Sequence, residues 1–327
     1  MAHEGEGAGG ADSAAAVAGV ANLSQFGLIH FSGADAQAFL QGQLSCDVNA
    51  LQAGQAIYGS YNSPKGRMLA SFLLWRDTAG YVMQLPRSLC GPICKRLSMY
   101  ILRSKVKACD VSDDHVLLGI AGIAAEELLA QHFKTIPAAA LTTAAAGGTQ
   151  LLRLDAARWL LVADRASGGE ILNALLKKAQ SVSDAAWELT NIEAGIPFIT
   201  PATQDQFVPQ MANLDLLNGV SFSKGCYPGQ EIVARMHYLG KLKQRMYLAE
   251  ISGTDVPAPG NKLYSAGTGE QATGMIVNAA PSPGGGHTAL AVMHIASFQS
   301  GEVHLNAPAG PALKFRPLPY AIPADPP

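Results

Sequence analysis

The 327-residue sequence is poor in charge, its 23 basic and 25 acidic side chains making 15% of the chain against about 25% in an average soluble domain. A formal net charge of -2 supplies no global field to gather phosphates or anionic lipid, which excludes a histone-like or polybasic membrane-surface role and leaves any anionic partner to a local patch. Long apolar runs are also missing. The longest, residues 116–125, stops at Glu126 and Glu127, well short of the about 20 residues of a membrane span, so no membrane partner is expected. The first twenty residues lack the basic segment and compact apolar stretch of a secretory signal, and a cytoplasmic location is expected. Cysteines number five, Cys46, Cys90, Cys94, Cys109 and Cys226, an odd count in a long chain that argues against the disulfide framework of small secreted domains. The 34 glycines and 19 prolines fall well below the about 25–30% of low-complexity disorder. There is no GxxxxGK[ST] phosphate loop, no GxGxxG opening a helix, no GxSxG elbow and no HExxH pair. The eight histidines lack metal-ligand spacing, and no metal is expected.

What is present is apolar: 48% of residues are hydrophobic, enough for a large core, and the length suits two or three domains of about 100–200 residues. Residues 1–20 are Gly, Ala and acidic residues with no large apolar side chain, and read as a disordered tail. Strands are expected over 27–31, 55–61, 68–75 and 81–85, with Asn62-Ser63-Pro64-Lys65-Gly66 as the turn of a strand pair. A short helix through Ala36, Phe39 and Leu40 takes Ser32 as its N-cap and ends near Gly42. Helical spacing follows over 90–102, at least one strand over 106–124, and a helix over 126–133. An alanine- and glycine-rich connector at 138–148 leads to strands over 151–154 and 159–162 and a helix over 170–179, a second α+β unit of similar build. Past Leu242 the pattern changes to short strands (245–251, 273–277, 290–294, 312–315) with Gly and Pro turns, which suggests a small β-barrel or sandwich. Residues 281–286 read as a mobile hairpin loop, and the chain after Pro317 is too proline-rich to continue a central strand.

The stretch with chemistry in it is Ser223-Lys224-Gly225-Cys226-Tyr227-Pro228-Gly229-Gln230-Glu231-Ile232-Val233-Ala234-Arg235, followed by Tyr238, Gly240, Lys241 and Arg245. Pro228 and Gly229 at the start of a helix over 230–235 put Cys226 just before its N-terminus, where the dipole and Lys224 both favour a thiolate. The same residues also suit a plain tight turn with Cys226 filling a small pocket, and Glu231 suits a first-turn acid that complements the dipole. Cys90 and Cys94, with three residues between them, miss the spacing of a redox pair and read as buried helix cysteines. Two basic clusters, Lys95, Arg96, Arg103, Lys105 and Lys107, and Lys241, Lys243 and Arg245, read as solvated faces; without interleaved aromatics to stack bases they give direct tRNA binding little support.

The run Lys224-Gly-Cys-Tyr-Pro-Gly-Gln-Glu231, continuing through Arg235, Gly240 and Arg245, resembles the KGCYxGQE signature of the YgfZ folate-binding proteins, relatives of the glycine-cleavage T-protein, an aminomethyltransferase. Gly33-Ala-Asp35 through Phe39-Leu-Gln-Gly-Gln-Leu44 and Asp47, Pro64-Lys-Gly-Arg-Met-Leu-Ala70, residues 100–106 and Glu193-Ala-Gly-Ile-Pro197 extend the resemblance from about residue 22 to 320. It implies an α+β, T-protein-like fold: two interlocked α+β, ferredoxin-like units around a central folate channel over residues 21–240, and a C-terminal β-barrel over 241–327. It implies tetrahydrofolate as the cofactor, with Glu193 at the pterin, since a carboxylate can accept two hydrogen bonds from its N–H and amino edge. Gly225, Tyr227, Gly229, Gln230, Glu231 and Arg235 would complete the cofactor site, facing the same channel, with Cys226 as the reactive thiolate and Lys224 beside it. Asn191 stands where relatives often carry arginine. In place of the T-protein GGIIDD-like segment the chain has Gly66-Arg67-Met68-Leu69-Ala70-Ser71, without a carboxylate to orient a developing cation or act as a base. The resemblance therefore implies a monomeric accessory protein for iron–sulfur enzymes and their assembly machinery, including enzymes that thiolate tRNA. The alternatives are a one-carbon transferase of the T-protein superfamily and a non-catalytic module that delivers folate or contacts RNA.

Overall fold

Short runs of alternating apolar residues separated by turn formers favour antiparallel sheets with one face buried, and three such sheets make up most of the computed structural model, which describes residues 18–253, 256–269 and 271–323. The chain divides into two compact units, each discontinuous in sequence. One is built from residues up to Ser24 together with 113–187, the other from 25–112 together with 188–323. The mixed α+β composition expected from the sequence is what is found.

In the first unit a six-stranded sheet runs in the order Gln180–Ser181, Gly19–Asn22, His115–Ala121, Arg158–Asp164, Thr149–Arg153, Thr142–Ala146. Its core gathers Val20, Leu118, Ile120, Leu151, Trp159, Leu161 and Leu175. Of the tail expected over 1–20, residues 1–17 lie outside the described residues. Gly19 and Val20 belong to a strand, with Val20 buried. The connector expected at 138–148 contains a strand, Thr142–Ala146, paired with Thr149–Arg153 through Gly147 and Gly148, whose φ angles of 59° and 80° fit a two-residue hairpin turn.

The second unit holds a five-stranded sheet, Ala56–Asn62, Met68–Arg76, Gly80–Pro86, Phe26–Ser32, Lys107–Asp110, on which the helix Arg87–Ser98 packs through Leu89, Cys90, Ile93 and Leu97. Cys90 and Cys94 are thus helix cysteines. The helix ends sooner than the spacing over 90–102 predicts, because the chain turns at Met99 and holds Leu102 at φ 49°. Ser32 stays in its strand, and Asp35 occupies the position before the helix Ala36–Gln41, its carboxylate accepting from the Lys105 amide instead of capping.

The C-terminal sheet, in the order His304–Leu305, Lys262–Tyr264, Gly274–Pro281, His287–His294, Gln244–Ile251, Leu313–Arg316, curls into a half-barrel whose edges approach at a bridge between His304 and Ala312. Period-two alternation along Gln244–Ile251 sends Met246 and Leu248 into the core shared with the five-stranded sheet, and Tyr247, Ala249 and Ile251 into the half-barrel's own core. That double use places the boundary expected between residues 240 and 241 inside the second unit.

Candidate functional site

The segment leading to Cys226 is fixed to a part of the chain about 180 residues earlier. The Ser221 amide donates to the Ser45 carbonyl at 2.9 Å, and Ser45 Oγ donates to Gly219 O at 2.6 Å. Lys224 is 9% exposed and its Nζ donates to the carbonyls of Leu44 at 2.7 Å and Cys46 at 2.8 Å, with the Tyr227 ring centroid 5.2 Å away. Burial lowers the Lys224 pKa to about 8, since an ammonium loses hydration there. Lys224, expected beside the Cys226 thiol, spends two of its three donors on backbone carbonyls and so ties down the loop that carries the cysteine. Tyr227 is buried, which pushes its phenol pKa up. Between these two inward-facing residues, Gly225 and Cys226 are exposed.

The loop closes onto the helix Gln230–Tyr238, longer than the expected 230–235. Gly229 precedes it at φ 79° and backs onto the turn after Asn62, while Gln230 Nε2 donates to Lys224 O at 3.4 Å. Mid-helix, the Val233 carbonyl accepts from Gln210 Nε2 at 2.7 Å. Glu231 and Arg235 point to solvent. Arg245, grouped by sequence with Lys241 and Lys243, is 3% exposed and makes a two-pronged pair with Asp215 at 2.7 and 2.9 Å, so the solvated cluster there is Lys241 and Lys243 alone.

All five cysteines are free thiols. Cys46 and Cys90 are buried, which pushes both thiols up to about 12, and Cys94 and Cys109 are half-buried. Cys226 is the exposed one.

Glu193 lies elsewhere. It ends the helix Asp184–Glu193, whose exit is held by Tyr320, the phenol donating to Gly195 O at 2.8 Å. Its carboxylate is 3.9 Å from Arg316 Nη1, which also pairs with Glu250 at 3.2 Å. Glu193 lines a cavity of about 290 Å³ with Glu250, Arg316, Ser282, His287 and Thr288. His287 Nδ1 is buried there without a hydrogen-bond partner among the described residues, and the hydroxyls of Ser282 and Thr288 lie 2.7 Å apart. No residue of 224–235 lines this cavity, so Glu193 is not brought together with Gly225, Tyr227, Gly229, Gln230, Glu231 or Arg235, which build the Cys226 loop and its helix. The residues that do accompany Glu193 come from the half-barrel about 60–120 residues on, and carry no local motif. Asn191 is buried, and its side chain holds the pKa of nearby Glu188 down. At the segment without a carboxylate, Ala70 is buried and Ser71 Oγ bridges Pro197 O and the Ile199 amide at 2.8 and 2.9 Å.

Residues 11–156 match the GCVT N-terminal domain. The tRNA-modifying protein YgfZ of Yersinia pestis (strain Pestoides F) is 34% identical over 307 residues, covering 93% of each chain. The chain belongs to the YgfZ family. The Shigella sonnei (strain Ss046) YgfZ, also described as tRNA-modifying, is 33% identical over 303 residues and 92% of each chain. Glycine cleavage system aminomethyltransferase T from Bartonella henselae superposes with a TM-score of 0.77 over 93% of this chain and 86% of its own, at 17% identity. This YgfZ-family chain therefore has the T-protein fold. Among the described residues no helix is long and apolar enough to cross a membrane.

Proposed function

We propose that this YgfZ-family protein binds tetrahydrofolate at the Glu193 cavity and uses Cys226 as a reactive thiol in assembling or repairing iron–sulfur enzymes of the cytoplasm, and so acts indirectly on tRNA modification. The observation that carries the reading is the construction of the 221–229 loop: buried Lys224 and Tyr227 hold the thiol of Cys226 in solvent while Cys46 and Cys90 are buried. Exposure and turn geometry of this kind suit a thiol that reacts with a partner. A cluster, as cargo, would take one ligand from Cys226 and the rest from its client or assembly partner, because cysteine ligation normally supplies four.

The Glu193 cavity fits a pterin in its donor set. A carboxylate on the wall can accept from the ring N–H and amino group together, and the buried His287 Nδ1 offers a further polar contact. Bound tetrahydrofolate would supply a one-carbon carrier. The side chains at 70 and 71 offer no carboxylate, and Ser71 is committed to the 197–199 backbone, so these two positions supply no group to orient an aminomethyl donor.

Titration with tetrahydrofolate and complementation in cells lacking the protein test the two halves separately. Glu193→Gln is expected to weaken folate binding by about tenfold or more, since hydrogen bonds to a charged group contribute about 1.5–3 kcal/mol. Cys226→Ala is expected to bind folate as the wild type does yet fail to restore iron–sulfur enzyme activity. Unchanged binding by Glu193→Gln overturns the folate assignment, and full complementation by Cys226→Ala overturns the thiol.

A further inference from the structure

The outer side of the helix Gln230–Tyr238 carries exposed apolar side chains beside its charged pair, Glu231 and Arg235, where a surface helix is normally polar throughout. Ile232 is 37% exposed, Tyr238 64% and Leu239 85%, with Arg235 exposed between them. Residues at 232, 235 and 238–239 recur at helical spacing and share one face, whereas Val233 turns inward and is fully buried. The Cys226 loop runs back along this helix: Phe222 stacks on His237 at 3.8 Å with Tyr238 edge-on at 6.3 Å, and Gly229 precedes the helix at its other end. A nine-residue helix is only about 13 Å long, so the loop that carries the exposed thiol runs within a short distance of these apolar residues. Lys241 and Lys243, both exposed, follow directly.

We propose that this face docks an acidic, apolar-faced segment of the protein that Cys226 serves, an inference that rests on the reading of Cys226 as the reactive thiol. The aliphatic side chains decide the class of partner. Ile232 and Leu239 can neither stack on a base nor bind a phosphate and gain only by leaving water against apolar groups, while Arg235, Lys241 and Lys243, which outnumber the one carboxylate, Glu231, ask for carboxylates around that contact. A second copy of this chain, meeting the same face across a two-fold axis, would set Arg235, Lys241 and Lys243 against their own copies with only Glu231 to offset them. The patch is small, as suits a transient handover and not a permanent complex.

The probe is a fluorescein-labelled, cysteine-free helical peptide with leucines along one face flanked by glutamates, titrated by fluorescence anisotropy against the full chain. Saturable binding is expected, weakened about tenfold by Leu239→Ser, by Arg235→Glu and by glutamine in place of the peptide's glutamates, and weakened by added salt. Cys226→Ala should bind the peptide unchanged, which separates the two readings. If that variant complements in cells while the peptide docks, the thiol assignment falls and the docking face stands. If it fails to complement and the peptide does not bind, the docking face falls alone. Thermal melting checks that each variant is folded. The proposal is overturned by peptide binding indifferent to Leu239→Ser and Arg235→Glu, by tRNA binding that depends on Arg235 and not on Leu239, or by a dimer in sedimentation that Leu239→Ser dissolves.

Discussion

Gly66 and Gly229 lie back to back, at φ 72° and 79°, and a methyl group on Gly229 would sit 2.6 Å from the Gly66 Cα and 2.5 Å from the Ser63 carbonyl oxygen. Neither obstacle is a flexible side chain, so a substitution must move backbone. Gly229→Ala is expected to destabilise the protein by about 2–4 kcal/mol, combining the left-handed φ with the overlap. Gly225, three residues before the Pro228–Gly229 turn closes, would meet nothing within 4 Å, and Gly225→Ala is expected to change stability by less than about 0.5 kcal/mol. Urea unfolding of the pair measures the contrast, and equal costs would mean that the packing of the two turns is not what holds the loop.

Lys224 gives the same loop a dependence on pH. Its folded pKa of about 8 lies below the ordinary 10.5, so between these values the unfolded chain binds more protons and stability rises with pH, by at most about 3 kcal/mol. A neutral amine keeps two N–H groups, enough for the Leu44 and Cys46 carbonyls. Lys224→Met removes both donors and also the titration. It is expected to be less stable than wild type by about 1–3 kcal/mol near pH 7, with the gap widening toward about pH 9.5. Urea melts at the two pH values check the sign. A gap that narrows would mean that the folded protein favours the ammonium.

Much of this was legible in residue order because it is local. Pro64 and Gly66 announce a turn, Pro228 and Gly229 announce a helix start, and the short alternating runs after Leu242 announce a β domain. The glycine pair that closes the 142–153 hairpin was an equally local signal, masked by the alanines on either side, whose small side chains give a strand no apolar pattern.

The candidate sites were less legible, because they depend on pairings across the chain. Nothing near Lys224 indicates that its partners are the carbonyls of Leu44 and Cys46, and a buried carbonyl carries no side-chain signature. Arg245 looks like the end of a basic run until Asp215 is seen to grip it. Glu193 was picked out by its motif, yet its neighbours His287 and Arg316 come from the half-barrel, where sheet register, and not spacing along the chain, decides which side chains meet.

Glu188, one turn before the buried Ile192, supplies a last test of how the end of the helix Asp184–Glu193 is packed. Burial raises its pKa from 4.5 to about 6, partly offset by the nearby Asn191 side chain, so the fold prefers the protonated acid. As pH climbs from 4.5 to 6 the unfolded chain releases its proton first, and stability falls by about 2 kcal/mol, a loss that persists at neutral pH. Glu188→Gln keeps the shape and a hydrogen-bonding amide without the charge. It is expected to match wild type near pH 4 and to exceed it by up to about 2 kcal/mol near pH 7, read as a difference in urea midpoints at constant slope. A variant less stable than wild type near pH 7 would show instead that the ionised Glu188 carboxylate stabilises this helix end.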